Sequence, residues 1–374
     1  AEDPEGMVML GKTPHGEEAW INRRAAESDL VLYVNINLVA MDGGQKSVPV
    51  GLTGYKSLRA HHSVKALMAS RSYMDPDRSE MHHSCKRIGK VVAEHVKVFT
   101  VETTLDSRCF GGPLAYLNRP ERTWGAGTRA FAHANRLGLE LLPYSARRAI
   151  FHSVRSAYGV TSVQAGATDA VHRKTLESVH AQQVVRVTGQ SDVLVVGLPF
   201  VGPYNVNSIL NPLLVNCLGM GYAFNLYRGK PLVKEGGVAI FFTPLEEKFH
   251  PVHHPSYIPF YEEILQETRD PAEIERRWEQ QYATDPRFID LYRNSHAYHG
   301  VHPFYMWYWA CHGMSHVGRI IYVRPKSERA ARRIGGEPAR SFEEALDMAR
   351  SHLGIAEPTI SVLHMPPILL ADVQ

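Results

Sequence analysis

The sequence lacks most of the features that assign a chain to a class at first inspection. Its 374 residues contain no apolar run of about 18 residues, so neither a transmembrane helix nor a membrane partner is expected. The four cysteines form no Cys-x-x-Cys pair, which excludes a disulfide scaffold and favours a reduced, cytoplasmic setting. Neither a Gly-x-Gly-x-x-Gly fingerprint nor a Walker loop occurs.

A surplus of charge of one sign is also missing. The 41 basic and 38 acidic residues leave a net charge of +3, whereas binding to nucleic acid needs a strong basic surplus. No nucleic-acid partner is therefore expected. Histidine, in contrast, is abundant, with 20 copies. Because histidine supplies metal ligands and acid–base groups near neutral pH, the composition favours an enzyme.

The order of apolar segments predicts an α/β fold with mostly parallel sheets. After residue 190, strand-length apolar runs alternate with helical patterns, at 192–197, 238–242, 318–323 and 360–364. A helix is predicted over 342–353, with Ser341 before it and Gly354 after it. We expect two Rossmann-like domains, 1–189 and 190–374, with a cleft between them.

The first half of the chain is harder to interpret. Residues 29–36 form a strand-length apolar run that predicts a buried strand, and residues 97–105 alternate as a strand does. Helical patterns cover 19–28 and 52–65, the second entered through Thr53 and Gly54. These elements would frame a glycine-rich loop that follows the first strand.

The most informative stretch runs from Asp42 through Gly43, Gly44 and Gln45 to Lys46. A glycine pair beside a lysine, just after a strand, puts an ammonium group where the clefts of α/β folds open. A lysine in such a crevice loses its proton readily and acts as a nucleophile or covalent anchor. The alternative is a solvated lysine on a glycine turn. Asp42, likewise, either tunes Lys46 or only forms the turn.

The same stretch resembles the nickel-pincer-nucleotide-dependent lactate racemase family. Members carry a Gly-Gly-Arg-Lys turn, and sixteen residues after the lysine a histidine follows in a Gly-Tyr-x-x-x-Arg-x-x-His context. Lys46 and His62 have that spacing here, with Tyr55 and Arg59 in place. The resemblance implies a nickel-pincer nucleotide covalently bound to Lys46, with His62 as the nickel ligand. It assigns cofactor contacts to Gly43, Gly44, Tyr55 and Arg59.

The resemblance also implies an activity and its partners. The family's cofactor takes a hydride from the α-carbon of a 2-hydroxy acid while a histidine takes the hydroxyl proton. We therefore expect a racemase or epimerase acting on a small 2-hydroxy acid or sugar acid, loaded by cofactor maturation proteins. His61, beside the nickel ligand, and His82 are the candidates for the acid–base groups.

The chain departs from the family at important positions. The family's catalytic histidine, ten residues before the lysine, corresponds to Ile36, flanked by Asn35 and Asn37. Neither asparagine acts as a base at neutral pH. The family's long first segment, with a phosphate-binding loop and another histidine, has no counterpart, and the match begins near residue 8. We expect a first domain truncated at its start, or completed by a partner.

Three other histidine clusters leave a further alternative open. They comprise His250, His253 and His254, then His296, His299 and His302, then His312 and His316. Three such ligands and a water would make a zinc site, although the Glu of a His-Glu-x-x-His motif is absent. The clusters otherwise line a pocket or a domain interface. A non-catalytic relative that binds a metabolite or cofactor and a zinc-dependent hydrolase therefore remain as alternative functions.

Overall fold

A computed structural model describes residues 3–106, 110–153, 159–199, 202, 204–205, 208–364 and 368–374. Its strands are β1 (Met7–Lys12), β2 (Glu18–Asn22), β3 (Val31–Asn37), β4 (Val98–Asp106), β5 (Gly159–Gly166), β6 (Val184–Val187), β7 (Ser191–Gly197), β8 (Tyr227–Arg228), β9 (Val233–Phe242), β10 (Arg319–Val323), β11 (Glu337–Ala339), β12 (Ile360–Leu363) and β13 (Leu370–Val373). Most neighbouring strands run parallel, and the predicted α/β class with mostly parallel sheets is confirmed.

The described residues of the first half also form several helices. They are α1 (Arg23–Ala26), α2 (Ser47–Gly51), α3 (Tyr55–His62), α4 (Val64–Ala69), α5 (Glu80–His95), α6 (Ala126–Leu141), α7 (Tyr144–Ser153) and α8 (Thr168–Gln183). Short 3₁₀ turns add Pro4–Gly6, Gly44–Lys46, Gly112–Asn118 and Glu121–Thr123. Helices α2, α3 and α8 are the elements that bring the sequence motif to one place.

The second half contains shorter helices joined by π-helical turns. They are α9 (Pro212–Asn216), α10 (Tyr257–Pro259), α11 (Leu265–Glu267), α12 (Pro271–Ile274), α13 (Gln280–Thr284), α14 (Pro286–Asn294), α15 (His302–His316), α16 (Glu328–Arg333) and α17 (Phe342–Leu353). The π-helical turns are Cys217–Ala223, Phe260–Ile264 and Glu275–Glu279. None of the helices in the described part of the chain is long and apolar enough to cross a membrane.

Three sheets determine the architecture. A five-stranded parallel sheet has the order β11-β10-β9-β7-β12, and a three-stranded sheet has the order β3-β4-β5. The third has the order β6-β13-β8, so the last strand of the chain pairs with β6, just before the predicted boundary at residue 189. The division at residue 189 itself stays a prediction.

Local sequence signals place several elements correctly. Helix α17 begins after Ser341, whose hydroxyl accepts a hydrogen bond of 3.1 Å from the Glu344 backbone N–H. It ends at Gly354, which adopts a left-handed φ of 66°. A polar N-cap and a left-handed glycine after the last turn are strong helix boundaries.

Two predictions of the sequence analysis are wrong. The helix expected over 19–28 is instead the strand β2 followed by the single-turn α1, because Ala19 and Ile21 alternate with half-buried residues on a hairpin. The strand expected to be buried over 29–36 is buried on one face only. Leu32, Val34 and Ile36 are more than half exposed, while Asn37 is buried.

A large apolar core joins the two halves of the chain. Helix α15 packs against α4 and against the π-helical turn Cys217–Ala223, and its Trp307 and Tyr308 are fully buried. The Tyr73 hydroxyl donates a 2.9 Å hydrogen bond to the Trp309 carbonyl, and the two rings are 4.1 Å apart. This contact holds the first-half helices, and with them the motif residues, against α15.

Candidate active site

The loop after β3 turns sharply at two glycines. Gly43 and Gly44 have φ angles of 85° and 62°, in the left-handed region. A Cβ atom on Gly43 would lie 2.5 Å from Glu102 Oε1, and one on Gly44 would lie 2.6 Å from His172 Cδ2. Only glycine both adopts these left-handed φ angles without strain and leaves room for the neighbouring side chains. The space beside these glycines therefore holds the chain's own side chains.

The substitution Gly44→Ala is expected to destabilise the protein by about 2–4 kcal/mol, through left-handed backbone strain and the clash with His172. Urea unfolding followed by circular dichroism measures the effect. Gly16→Ala is the matched control, because Gly16 has a φ of 83° but nothing within 4 Å of an added Cβ. The control isolates the strain and should cost about 1 kcal/mol. Equal losses would contradict a close approach of His172.

Lys46 ends the short turn Gly44–Lys46 and points inward. Its ammonium donates a 3.1 Å hydrogen bond to the Met41 carbonyl, and 17% of the side chain is exposed. Burial lowers the pKa of Lys46, against the opposing effect of Asp42, whose Oδ1 lies 3.9 Å from Nζ. Asp42 also caps the turn, because its Oδ2 accepts from the backbone N–H of Leu38. Both interpretations of Asp42 therefore hold.

Three histidines lie near this lysine: His61 and His82 are buried, and His62 is partly buried. His82 Nε2 is 3.3 Å from the Met41 carbonyl that Lys46 also uses, and burial lowers the pKa of His82 to about 3, with Lys46 adding to the effect. His61 is completely buried, and neither of its ring nitrogens has a hydrogen-bond partner in the described structure. Burial holds the pKa of His61 well below its usual value. Both rings are therefore neutral at physiological pH.

His62 differs from its two neighbours in how its ring is held. Its Nδ1 lies 3.3 Å from the Leu58 carbonyl, and its ring stacks on Tyr305 at 4.9 Å and on Trp309 at 5.7 Å. Burial lowers the pKa of His62 to about 4. With Nδ1 bound to a backbone carbonyl, Nε2 carries the lone pair that a metal ion would use. This is the usual arrangement of a metal-binding histidine.

A cavity of 470 Å³ opens next to this cluster, between α3 and α15. Its wall includes several aromatic and histidine side chains: Tyr55, Tyr292, Tyr298, His299, His302 and Tyr305. Tyr305 separates the cavity from His62, since it lines the first and stacks on the second. Lys46, His61 and His82 do not line it. The sequence-derived interpretation of the second histidine cluster as pocket lining therefore agrees with the position of His299 and His302.

Tyr55 and Arg59 contact the second half of the chain rather than the glycine turn. The Tyr55 hydroxyl donates a 2.9 Å hydrogen bond to Glu279 Oε1, and Arg59 Nη1 donates to Gln280 at 3.4 Å. The Arg59 guanidinium carbon lies 5.5 Å from the centre of the Tyr55 ring. Glu279 is 3% exposed, and burial raises its pKa to about 7.

The remaining histidine clusters use their ring nitrogens within the protein. His312 Nε2 lies 3.1 Å from the Tyr227 hydroxyl, and His316 Nε2 lies 2.9 Å from the Val233 carbonyl. His253 and His254 contact Ser208. Over the described ranges of the chain, no three histidine, cysteine or acidic side chains gather as a metal site. The zinc hydrolase alternative therefore gains no support from the geometry.

Sequence reasoning missed a buried carboxylate at the centre of the turn. Glu102 on β4 is completely buried; its Oε1 accepts a 2.6 Å hydrogen bond from the Gly44 N–H, and its Oε2 lies 3.2 Å from His172 Nδ1. Burial raises the pKa of Glu102, but the hydrogen bonds from His172 and Gly44 outweigh it and lower the pKa. A signal was present, since Glu102 is the one charged residue among the apolar and threonine residues 98–105.

The chain is similar to known lactate racemases in part of its sequence and in its fold. The family model of the lactate racemase N-terminal domain matches residues 1–75. Over 109 residues the chain is 30% identical to the lactate racemase of Lactiplantibacillus plantarum; the match covers 28% of this chain and 25% of that protein. The lactate racemase apoprotein from Thermoanaerobacterium thermosaccharolyticum superposes with a TM-score of 0.59 at 15% identity, over 100% of this chain and 69% of that one.

The structural match defines the fold, an α/β fold shared with lactate racemase apoprotein. The family model and the sequence relative each match part of the chain, and within those parts the chain is similar to lactate racemases. The aligned segment spans about a quarter of the length of the curated relative.

Proposed function

We propose that this protein is a 2-hydroxy-acid racemase or epimerase that carries a nickel-pincer nucleotide on Lys46 and binds its nickel through His62. The observation that supports the proposal most directly is the environment of Lys46. Its amine is desolvated, its pKa is lowered, and it lies within electrostatic reach of His61, His62 and His82. An exposed turn lysine would have none of these properties.

The residues present fit such a cofactor. A lowered lysine pKa favours the neutral amine that forms a covalent bond. His62 Nε2 is the free nitrogen of a ring oriented by a backbone carbonyl, and nickel accepts imidazole well. The two unpartnered nitrogens of His61 are buried polar atoms that call for a partner. Together they supply a tether, a ligand and a hydrogen-bonding group.

When bound, the nickel-pincer nucleotide would supply hydride-transfer chemistry at the α-carbon of a 2-hydroxy acid. The chain's own residues would exclude water and handle the proton. His61 and His82 are neutral, so an imidazole nitrogen of either is able to take the hydroxyl proton. Loading would require the cofactor maturation proteins.

An intact-mass measurement tests the proposal. Produced together with the pincer-cofactor maturation enzymes, the protein should gain the mass of a nucleotide adduct, and peptide mapping should find that mass on Lys46. The Lys46→Ala variant should gain nothing. Lys65→Ala is the matched control, because Lys65 is an exposed lysine on the neighbouring helix, and it should load like the wild type. An unmodified wild type, under conditions that load a known lactate racemase, would contradict the proposal.

A non-catalytic relative is the second candidate, and one observation favours it. The position of the family's catalytic histidine is Ile36, which is 52% exposed on the open face of β3. Its neighbours Asn35 and Asn37 lie on the opposite face and are bonded to each other at 2.9 Å. A protein that loads the adduct on Lys46 but converts no hydroxy acid would support this candidate.

A further inference from the structure

The geometry points to Glu102 and His172 as the acid–base pair of this site, with Glu102 the positioning residue and His172 Nε2 the atom that exchanges a proton with the substrate hydroxyl. This inference rests on the proposed function. It assigns a base to a site in which the family's histidine position is occupied by Ile36. Neither residue was among the site residues that the sequence indicated.

The first argument is the construction of the pair. Glu102 is completely buried on β4, and both its oxygens have partners: the Gly44 N–H at 2.6 Å and His172 Nδ1 at 3.2 Å. A lowered pKa keeps this carboxylate ionised, so it accepts the hydrogen from Nδ1. The partner of one ring nitrogen determines which tautomer a histidine adopts, and here Nε2 is left as the basic atom.

The second argument is the position of Nε2. A Cβ on Gly44 would lie 3.0 Å from His172 Nε2, so this edge of the ring faces the turn that ends at Lys46. The His172 side chain keeps 13% of its surface exposed, whereas Glu102 has none. The base is thus partly accessible at the proposed cofactor anchor, and its orienting carboxylate is protected from water.

The third argument is that alternate side chains of β3 and β4 point to opposite faces of the sheet. Asn35 pairs with Glu102 across β3 and β4, and both side chains lie on the inward face with Asn37. Position 36 is on the opposite face. On the inner face, β4 and α8 together supply a carboxylate–histidine pair, Glu102 and His172.

The proton transfer balances without a further reagent. The substrate O–H bond breaks and an N–H bond forms at His172 Nε2, giving an imidazolium that the Glu102 carboxylate stabilises. The O–H electron pair would become the second bond of the carbonyl, and the hydride leaving the α-carbon would be accepted by the chemistry that a bound nucleotide supplies. The proton from Nε2, together with a hydride returned to the other face of the carbonyl, would give the opposite enantiomer.

Other titratable groups also face His172. His82 on α5 and His180 on α8 interact with it electrostatically, and Glu102 contacts it from β4. Burial lowers the pKa of both histidines, so they are neutral near pH 7 and add no charge there. Glu102 is therefore the ionised neighbour in direct contact with the ring.

The test begins with the tautomer in cofactor-free protein. Nitrogen-15 NMR of histidine-labelled protein, assigned with His172→Gln, should give the Nδ1–H form for His172 near pH 8. In Glu102→Gln the new amide oxygen still accepts the hydrogen bond from the Gly44 N–H, so the amide NH₂ faces His172 Nδ1. Because the NH₂ group donates, Nδ1 has to accept, and the proton of the ring moves to Nε2. Glu177→Gln, an exposed carboxylate on the same helix, is the control and should leave the tautomer unchanged. An Nε2–H wild type, or an unchanged tautomer in Glu102→Gln, would overturn the inference.

The second measurement is turnover by protein whose mass proves an adduct on Lys46. With a panel of 2-hydroxy acids, Glu102→Gln and His172→Gln should lower kcat by about 10²–10⁴-fold with KM changed far less, and Glu102→Asp should recover part of the loss. Wild-type rates in both loaded variants would overturn this inference alone. A wild type that takes no adduct, or takes it and converts none of the acids, would overturn the proposed function and this inference with it.

Discussion

Replacement of His62 by alanine is expected to reduce nickel retention by the loaded protein at least about 100-fold, since an imidazole ligand is lost from a site with few alternatives. Nickel per chain is measured by inductively coupled plasma mass spectrometry after dialysis against a chelator. The adduct on Lys46 is measured in parallel by mass, so loss of metal is distinguished from failure to load. His62 Nε2 is the atom at issue, because Nδ1 is already held by the Leu58 carbonyl.

Structural loss has to be separated from loss of the ligand. The His62 ring stacks on Tyr305 and Trp309, and each such contact contributes about 0.5–1.5 kcal/mol. His62→Phe keeps a stacked ring but offers no nitrogen, so it should fold with near wild-type stability and still lose nickel. His83→Ala, at a partly exposed position of α5, should retain it. Full nickel retention by an adduct-bearing His62→Phe would contradict the assignment of this ligand.

A second large effect concerns Glu279 and the dependence of stability on pH. Burial raises the pKa of this carboxyl to about 7, above the value of about 4.3 expected in the unfolded chain. Below about pH 4 this carboxyl is protonated in both the folded and the unfolded state, so its ionisation does not affect the free energy of unfolding. As the pH rises from about 4.5 to 7, the unfolded chain loses this proton first, so the free energy of unfolding falls, by up to about 3 kcal/mol.

Glu279→Gln should remove that fall. The amide oxygen still accepts the Tyr55 hydrogen bond, so the contact between the two halves of the chain is kept. The variant's free energy of unfolding, relative to wild type, should increase by about 3 kcal/mol between pH 4.5 and pH 8. Any fixed penalty of the new amide cancels in that difference. Urea unfolding at the two pH values measures it, with Glu263→Gln, at an exposed position, as control.

The opposite slope would show that Glu279 is ionised in the folded protein throughout this range. Arg59 favours that outcome, because its charge lowers the pKa of Glu279, but burial is the larger influence. Because Tyr55 on α3 donates a hydrogen bond to this carboxyl, its protonation also affects the contact between α3 and the π-helical turn that ends at Glu279. Parallel curves for Glu279→Gln and wild type would show that this carboxyl does not titrate between pH 4.5 and 8.

Much of the second half of the chain was predictable, and the reason is local. The strand at 192–197 is a continuous apolar run of strand length, and the helix at 342–353 has a helical period and a cap at each end. None of these signals depends on distant residues. In the first half the hairpin of β1 and β2 was missed, because the 19–28 segment also fits a helical period. Its pairing with β1 selected the strand.

The spacing of Lys46 and His62 was likewise visible in the sequence, and it pointed to the family that the comparisons support. The environment of His62 was not, since its ring stacks on Tyr305 and Trp309, on a helix more than 230 residues away. Nothing in the local sequence of Tyr55 indicated Glu279 either. That hydrogen bond joins residues 224 positions apart.

By itself, then, the sequence determined the α/β class, the glycine turn and the positions of its lysine and histidines, because periodicity, turn chemistry and spacing are properties of short segments. Tertiary structure alone decided which side chains meet. It brought Glu102 beneath Gly44, turned His172 toward the Lys46 turn and left Ile36 on the open face of β3. Such long-range pairs depend on strand register and helix packing, which reverse a side chain's direction with a shift of one residue.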